Sequence, residues 1–178
     1  MGDQITGFFS PWLRERRIKR AYPYIRGAVL DYGCGVGTLA ELCSGHSYLG
    51  VDIDEESITI ANRAHPQFRF QQELPETEKF DTIVALAVIE HVADPAALLR
   101  KFKLMLKPDG HIVLTTPHPF FRKVHDCGSK IGLFSPDSDE HKQFIDRRLM
   151  QEMVAQAGLS IKIYRRFLLG ANQLFVLK

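Results

Sequence analysis

The stretch "VLDYGCGVGTLA", Val29 to Ala40, places three glycines at alternate positions directly after an apolar run. A glycine-rich turn between a strand and its helix lets a ligand approach the backbone closely. The pattern typical of dinucleotide binding is GxGxxG or GxGxxA, whereas Gly33, Gly35 and Gly37 form GxGxG. The stretch therefore predicts a nucleotide-like ligand and disfavours a dinucleotide.

Apolar runs and amphipathic segments alternate around this stretch. Predicted strands cover 27–33, 47–54, 68–70, 80–89 and 111–116, and predicted helices cover 13–22, 36–45, 54–65, 94–106 and 146–158. Residues 159–169 and 172–178 predict an antiparallel hairpin around Gly170. The alternation predicts an α/β fold, a doubly wound and mostly parallel sheet with its ligand crevice at the carboxyl ends of the strands.

Length and charge bound the organisation of the chain. At 178 residues and 45% hydrophobic composition, the sequence predicts a single domain, 1–178. Residues 1–26 are expected to form an N-terminal helical cover. Residues 117–143 mix Pro, Gly, Ser and charge without a clean period, which predicts a substrate loop or lid. The net charge of +2 disfavours nucleic-acid binding through a global field, so any basic surface must be local.

The cysteines and the apolar runs indicate a compartment. Cys34, Cys43 and Cys127 form no CxxC pair, a pattern typical of reducing surroundings. No uninterrupted apolar stretch reaches the length of about 18 residues that a membrane span needs. The sequence therefore predicts a cytoplasmic protein without a signal peptide or a membrane span.

Two carboxylates flank the predicted crevice. Asp31 precedes the glycines by two residues, where its charge would repel a pyrophosphate and attract an ammonium or sulfonium group. Asp52 ends the second predicted strand, where a carboxylate accepts hydrogen bonds from both hydroxyls of a ribose. Ile53 is expected to cover one face of an adenine. These residues predict an adenosine with a cationic tail, which is the chemistry of S-adenosylmethionine.

Four segments, in order and at suitable spacing, resemble the motifs of the class I S-adenosylmethionine-dependent methyltransferases. They are "VLDYGCGVG" (29–37), "LGVDID" (49–54), "FDTIVALAVIEHV" (80–92) and "LKPDGHIVLTTP" (106–117). The resemblance implies a Rossmann-like, seven-stranded sheet and S-adenosylmethionine as the cofactor. Small-molecule methyltransferases of the ubiquinone pathway are the branch of the family that the chain resembles.

The resemblance also implies which positions contact the cofactor. Together with Ile53 they are Asp31, Gly33, Gly35, Gly37, Asp52, Gln72 and Leu86. The glycines would line the methionine part, Asp31 would face its amino group and Asp52 would hold the ribose. The family often has an acid before "LP" for the adenine amino group. In "FQQELP" that place holds Gln71, Gln72 and Glu73, so the residue with this role stays open.

The segment "AVIEHVADP" (87–95) resembles its counterpart in the ubiquinone-pathway O-methyltransferases and, less fully, in the small-RNA 2′-O-methyltransferases. Members of both groups can carry an ExxEH metal site. Glu90 and His91 match that pattern, but Ala87 stands at the first acid, so one ligand is missing. We expect no metal, with Glu90 and His91 shaping the loop; a metal held by these two residues is the alternative.

Histidines in the second half supply candidate bases for a hydroxyl acceptor. His118 follows the fifth predicted strand, where it should project toward the acceptor. His141 resembles the histidine before the last large helix of quinone-type and saccharide-type enzymes. Either residue is expected to act as a base or as a binding group, and an exposed loop histidine is the alternative for each.

These observations predict methyl transfer from S-adenosylmethionine to a small molecule, preferentially to oxygen of a saccharide, lipid or quinone intermediate. The basic run "RERRIKR" (14–20) keeps an RNA methyltransferase open, although such a run is more often the solvated face of a helix. A non-catalytic subunit that binds S-adenosylmethionine is a third alternative. The oligomeric state is not fixed by the sequence.

Overall fold

The computed structural model describes residues 3–119 and 145–178. Its helices are α1 (Asp3–Ala21), α2 (Glu55–Ala64), α3 (Pro95–Met105) and α4 (Arg147–Gln156). Its strands are β1 (Ala28–Tyr32), β2 (Ser47–Val51), β3 (Arg69–Gln71), β4 (Phe80–Leu86), β5 (Leu106–Pro117), β6 (Ile161–Phe167) and β7 (Asn172–Leu177). In this part of the chain, no helix has the length and apolar character needed to cross a membrane.

The strands of the described residues form one seven-stranded sheet in the order β3-β2-β1-β4-β5-β7-β6. Strands β1 to β5 pair in parallel, whereas β7 runs antiparallel to both β5 and β6. The strand order reverses between β1 and β4, which is where ligands bind in doubly wound sheets. The predicted fold is therefore confirmed: a Rossmann-like, mostly parallel sheet that ends in an antiparallel hairpin.

Both faces of the sheet are covered, as the apolar runs of the inner strands predict. Val29 of β1 packs in a cluster with Ile18 of α1 and Ile58 of α2. The next residue of β1, Leu30, belongs to a second cluster that includes Phe102 of α3. Because successive side chains of a strand point to opposite faces, α1 and α2 lie on one side of the sheet and α3 on the other.

Aspartates begin three of the helices. The side chains of Asp54, Asp94 and Asp146 each accept a hydrogen bond from the backbone N–H three residues later, at 3.1, 2.8 and 2.8 Å. Each carboxylate satisfies one of the free donors of the first turn and complements the positive end of the helix dipole. These caps fix where α2, α3 and α4 start.

The helix predicted over 36–45 is wrong in type and extent. The segment contains turns followed by a 3-10 helix at Ala40–Cys43. Gly35 and Gly37 have φ angles of +52° and +83°, which interrupt a right-handed helix. The turn is closed instead by an i to i+3 bond, from Ala40 N–H to the Gly37 carbonyl at 2.9 Å.

All seven strands differ from the prediction at one or both ends, and the third and fifth are among those that begin at a different residue. The third strand begins at Arg69, one residue later than predicted. The fifth strand begins at Leu106 rather than His111, because "KPDG" is drawn into the sheet through an irregularity in the pairing of β4 with β5. Strand assignment at such a bulge depends on the partner strand, which local sequence does not encode.

Candidate active site

A cavity of about 590 Å³ opens at the carboxyl ends of β1, β2 and β4, where the strand order reverses. A volume of this size is typical of small-ligand sites. Six predicted cofactor positions line it: Asp31, Gly33, Gly35, Asp52, Ile53 and Leu86. The strand ends thus bring together residues up to 55 positions apart. Gly37 and Gln72 are not among the lining residues.

The three glycines are needed for different reasons. A Cβ on Gly33 would lie 2.3 Å from a methyl carbon of Val88, and one on Gly37 would lie 2.9 Å from the His65 ring, so both positions are closed by packing. A Cβ on Gly35 would meet nothing within 4 Å, although the φ of +52° disfavours any side chain. Of these three glycines, Gly35 has open space at the place of a Cβ, whereas a Cβ on Gly33 or Gly37 would meet the protein itself. The cofactor contact of Gly37 stays a prediction.

Asp52 joins the glycine turn to the start of α2. Its Oδ2 accepts a hydrogen bond from Gly35 N–H at 2.7 Å, and its Oδ1 accepts one from Asp54 N–H at 3.1 Å. A carboxylate has about four acceptor positions, so two remain for donors in the cavity. The position therefore suits an acceptor of ligand hydroxyls whose orientation is already fixed by the backbone.

Asp31 is a buried carboxyl group, with 4% of its surface exposed. The Tyr48 hydroxyl donates a hydrogen bond to its Oδ2 at 2.6 Å. Burial raises the pKa of Asp31 to about 7, the negative charge of Asp52 adds to this, and the Tyr48 hydrogen bond opposes it. A positive charge in the cavity would relieve the cost of ionising this group.

Apolar groups border the carboxylates. Ile53 is 85% exposed, and Leu86 ends β4 on the opposite side of the glycine turn. Gln72 donates from Nε2 to the Ile53 carbonyl at 3.3 Å, so it supports the backbone at Ile53 and does not line the cavity.

Ala87, which also lines the cavity, has a φ of +59°, and its N–H donates to the Thr115 carbonyl at 2.8 Å. That bond fixes the turn after β4.

Helix α1, which lies within the predicted helical cover 1–26, contributes one wall of the cavity. Arg14, Arg17 and Ile18 line the cavity, and their i, i+3, i+4 spacing places them on one helical face. The Arg17 Nε donates to Oδ1 of Asn172 in β7 at 3.0 Å. The helical period of the basic run is the sequence signal that could have identified Arg14 and Arg17 as the arginines that face the cavity.

Glu90 and His91 lie in a short 3-10 turn after β4, Ile89–His91. His91 lines the cavity, whereas Glu90 is buried beneath it. Burial lowers the pKa of Arg17, and the negative charge of Glu90 opposes that effect, so these two charges interact electrostatically. Within 3–119 and 145–178, no group of three His, Cys, Asp or Glu side chains could hold a metal ion.

His118 follows β5, and its backbone N–H donates a hydrogen bond to the Ala171 carbonyl at 2.8 Å. Its Nδ1 lies 3.4 Å from Nη2 of Arg166 in β6. Burial lowers the pKa of His118, and the Arg166 charge adds to this effect while Asp146 opposes it. His118 is not among the residues that line the cavity. His141 and most of the predicted loop 117–143 lie outside the described residues.

Comparison with known proteins agrees with this geometry. Residues 6–162 match a family model described as "Methyltransferase domain". A ubiquinone biosynthesis O-methyltransferase of Acinetobacter baylyi is 28% identical over 152 residues, which cover 75% of this chain and 63% of that protein. The corresponding enzyme of Acinetobacter baumannii is 28% identical over 177 residues, covering 89% of this chain and 73% of the relative. The chain thus spans less than two thirds of the first relative.

Among solved structures, an S-adenosylmethionine-dependent methyltransferase from Clostridium acetobutylicum superimposes with a TM-score of 0.69 at 14% identity. The superposition covers 86% of this chain and 84% of that one. At this identity the likeness shows the fold alone.

Proposed function

Since the chain belongs to the methyltransferase domain family, we propose that it transfers the methyl group of S-adenosylmethionine to an oxygen atom of a small-molecule acceptor. Its cofactor is S-adenosylmethionine. The observation that supports this function most directly is the convergence of Asp31, Asp52 and the bare backbone of Gly35 on one cavity at the reversal point of the sheet.

The cavity residues fit the three parts of this cofactor. We assign the amino group to Asp31 because that carboxyl group is buried and gains from a nearby cation. We assign the ribose hydroxyls to Asp52, whose backbone bonds leave two acceptor positions. Gly33 and Gly35 would accommodate the methionine part, and Ile53 and Leu86 would enclose the adenine between apolar groups. Arg14 or Arg17 is then placed to pair with the carboxylate of the methionine tail.

When bound, S-adenosylmethionine supplies an electrophilic methyl group that leaves a neutral thioether behind. The contribution of the protein is alignment of the acceptor and exclusion of water. We propose that His118 accepts the proton that an acceptor hydroxyl releases as its oxygen bonds to the methyl carbon. Because its pKa is lowered, this imidazole is neutral at pH 7 and has a nitrogen lone pair that can accept a proton. His141 stays a second candidate for this role.

The acceptor is proposed as a saccharide, lipid or quinone intermediate. Similarity to ubiquinone biosynthesis O-methyltransferases supports oxygen methylation of a small molecule, at an identity that leaves the compound open. We propose a cytoplasmic location, which is supported by three cysteines that form no CxxC pair.

Calorimetry tests the cofactor site. The demethylated product, S-adenosylhomocysteine, should bind the protein, and Asp52→Asn should weaken binding about tenfold to a hundredfold because the amide has no negative charge and only one oxygen that can accept hydrogen bonds. Glu76→Gln, an exposed carboxyl group outside the cavity, is the matched control and should bind as the wild type does. Equal affinity of the two variants would refute the assignment of Asp52.

The acceptor requires a second experiment. The wild-type protein should transfer label from methyl-labelled S-adenosylmethionine to a low-molecular-weight product in a metabolite extract. Label found only in RNA would instead support the RNA methyltransferase, for which the basic face of α1 is the specific observation. Cofactor binding without any transfer would indicate the non-catalytic subunit.

A further inference from the structure

A second cavity, of about 540 Å³, lies between the carboxyl-terminal turn of α1 and the end of β6. Four cationic side chains line it: Lys19, Arg20, Arg165 and Arg166. No Asp or Glu is among the lining residues in the described part of the chain. Buried Phe167 and Leu174 complete the lining, together with Pro23 and Tyr24. The cavity combines positive walls with an apolar base.

The positive charge of this cavity is mostly uncompensated. Lys19 forms an ion pair with Glu15 at 2.6 Å, but both side chains are more than half exposed, and such pairs contribute little. Arg166 uses Nε and Nη2 to donate to the Gly170 carbonyl, a neutral group. The guanidinium groups of Arg20 and Arg165 line the cavity and form no hydrogen bond or ion pair with any residue in 3–119 or 145–178. Two guanidinium groups are thus available to a ligand.

We infer that this cavity binds the phosphate group of a phosphorylated methyl acceptor. A guanidinium donates two parallel hydrogen bonds to a phosphate, and a pair of them matches its tetrahedral oxygens. Lys19 adds a third positive charge, and the Tyr24 hydroxyl adds a donor. Phe167 and Leu174 would contact the uncharged part of the acceptor. This inference rests on the proposed function, because it names the substrate class of the same enzyme.

The position of the cavity connects it to the proposed base. Arg166 lines the cavity and also lies 3.4 Å from Nδ1 of His118. Arg17 of the cofactor cavity and Arg20 of this one are three positions apart on α1, which are neighbouring places on a helix surface. Arg165 and Arg166 are consecutive residues of β6, so their side chains point to opposite faces of the sheet. An acceptor whose phosphate is held by Arg20 and Arg165 would therefore extend past the end of β6 to reach His118.

The shape of the site favours a small phosphorylated molecule over RNA. The charges converge on one concavity, whereas RNA binding would require a row of cations along several successive phosphates. The other arginines of the basic run do not form such a row. Arg16 lies over the Trp12 ring at 5.3 Å, and Arg14 and Arg17 face the cofactor cavity.

The test compares Arg20→Gln/Arg165→Gln with Arg63→Gln/Lys101→Gln, which removes the same charge from exposed helix positions outside both cavities. Two probes are used. Binding of glycerol 3-phosphate is measured by phosphorus NMR, and binding of vesicles that contain phosphatidylglycerol is measured by co-sedimentation. We expect the first variant to bind at least about tenfold more weakly than wild type, and the second to bind like wild type. Loss with glycerol 3-phosphate supports a free phosphate, and loss with vesicles alone supports a lipid headgroup.

Three results would overturn the inference: neither probe binds the wild type, both variants lose binding equally, or only a single-stranded RNA oligonucleotide distinguishes the variants. Binding of S-adenosylhomocysteine is measured in parallel. If both variants bind S-adenosylhomocysteine like wild type and neither phosphate probe binds the wild type, the phosphate site is wrong and the cofactor assignment stands. If the product does not bind wild type at all, the proposed function fails independently.

Discussion

Asp31 shows how one buried carboxyl group selects the charge of its ligand. Burial and the charge of Asp52 raise its pKa to about 7, so in the free protein near neutral pH it is ionised only in part. A cation that enters the cavity favours the ionised form, whereas a phosphate would favour the protonated form. The proposed contact of Asp31 with the amino group of the cofactor would therefore couple the charge state of this side chain to cofactor binding.

The affinity for S-adenosylmethionine should consequently rise with pH. Below the pKa of about 7, Asp31 must release its proton to bind the cationic tail, so the dissociation constant should increase by up to about tenfold for each pH unit of acidification. Above that pKa the affinity should level off. Calorimetry in buffers of different ionisation enthalpy, from about pH 6 to about pH 8, measures the released proton directly.

Asp31→Asn is the matched variant for this measurement, because an amide oxygen can still accept the hydrogen bond from Tyr48. It should bind more weakly above pH 7 and lose the pH dependence that Asp31 causes. Proton uptake by the wild type on binding, or an unchanged pH slope in Asp31→Asn, contradicts the role given to this carboxyl group.

At the scale of elements, the turn after β1 divides its three glycines between packing and ligand access. Gly33 packs against Val88 and Gly37 packs against His65, so a side chain at either glycine would collide with the protein itself. Gly35 instead borders open space in the cavity and donates its N–H to Asp52. The turn is thus held by packing at its two ends and by a hydrogen bond at its centre.

Gly35→Ala should weaken cofactor binding and also destabilise the fold. Its methyl group would point into open cavity space, where the methionine part is proposed, so we expect affinity for S-adenosylhomocysteine to fall at least tenfold, about 1.4 kcal/mol or more. The left-handed φ of +52° should add about 1 to 2 kcal/mol of destabilisation. Calorimetry gives the first quantity and urea unfolding the second.

Gly45→Ala provides the control for this substitution, since a Cβ there also meets nothing within 4 Å and its φ lies outside the left-handed region. It should leave affinity unchanged and alter stability by less than about 0.5 kcal/mol. A Gly35→Ala protein that binds normally while being destabilised would assign Gly35 a purely conformational role.

The same turn marks how far sequence reasoning extends. The alternation of strands and helices and the carboxylates at strand ends follow from local pattern, and both were predicted. The helix over 36–45 was not found, because the positive φ angles at Gly35 and Gly37 interrupt a right-handed helix. The placement of Gln72 under Ile53 and of Arg17 against Asn172 depends on how separate elements pack. No local period carries that information.

For the molecule as a whole, the antiparallel hairpin extends the edge of the sheet where the acceptor is proposed. Pro117 at the end of β5 pairs with Asn172 of β7, and Phe167 of β6 pairs with the same Asn172. These pairings bring Arg166 next to His118, 48 positions earlier in the chain. The hairpin thereby joins the second cavity to the proposed base and influences the protonation of that base.

Arg166→Gln should shift the acidic limb of the kcat/KM profile to higher pH. The Arg166 charge lowers the pKa of His118, so its removal raises that pKa and a smaller fraction of His118 is neutral at any pH near it. The profile is measured with the acceptor identified from the metabolite extract. Arg165→Gln removes the neighbouring charge, which is not a cause of the His118 shift, and should leave the limb in place even where it raises KM. Equal displacement of the limb in both variants would mean that general surface charge, and not the contact of Arg166 with His118, controls the base.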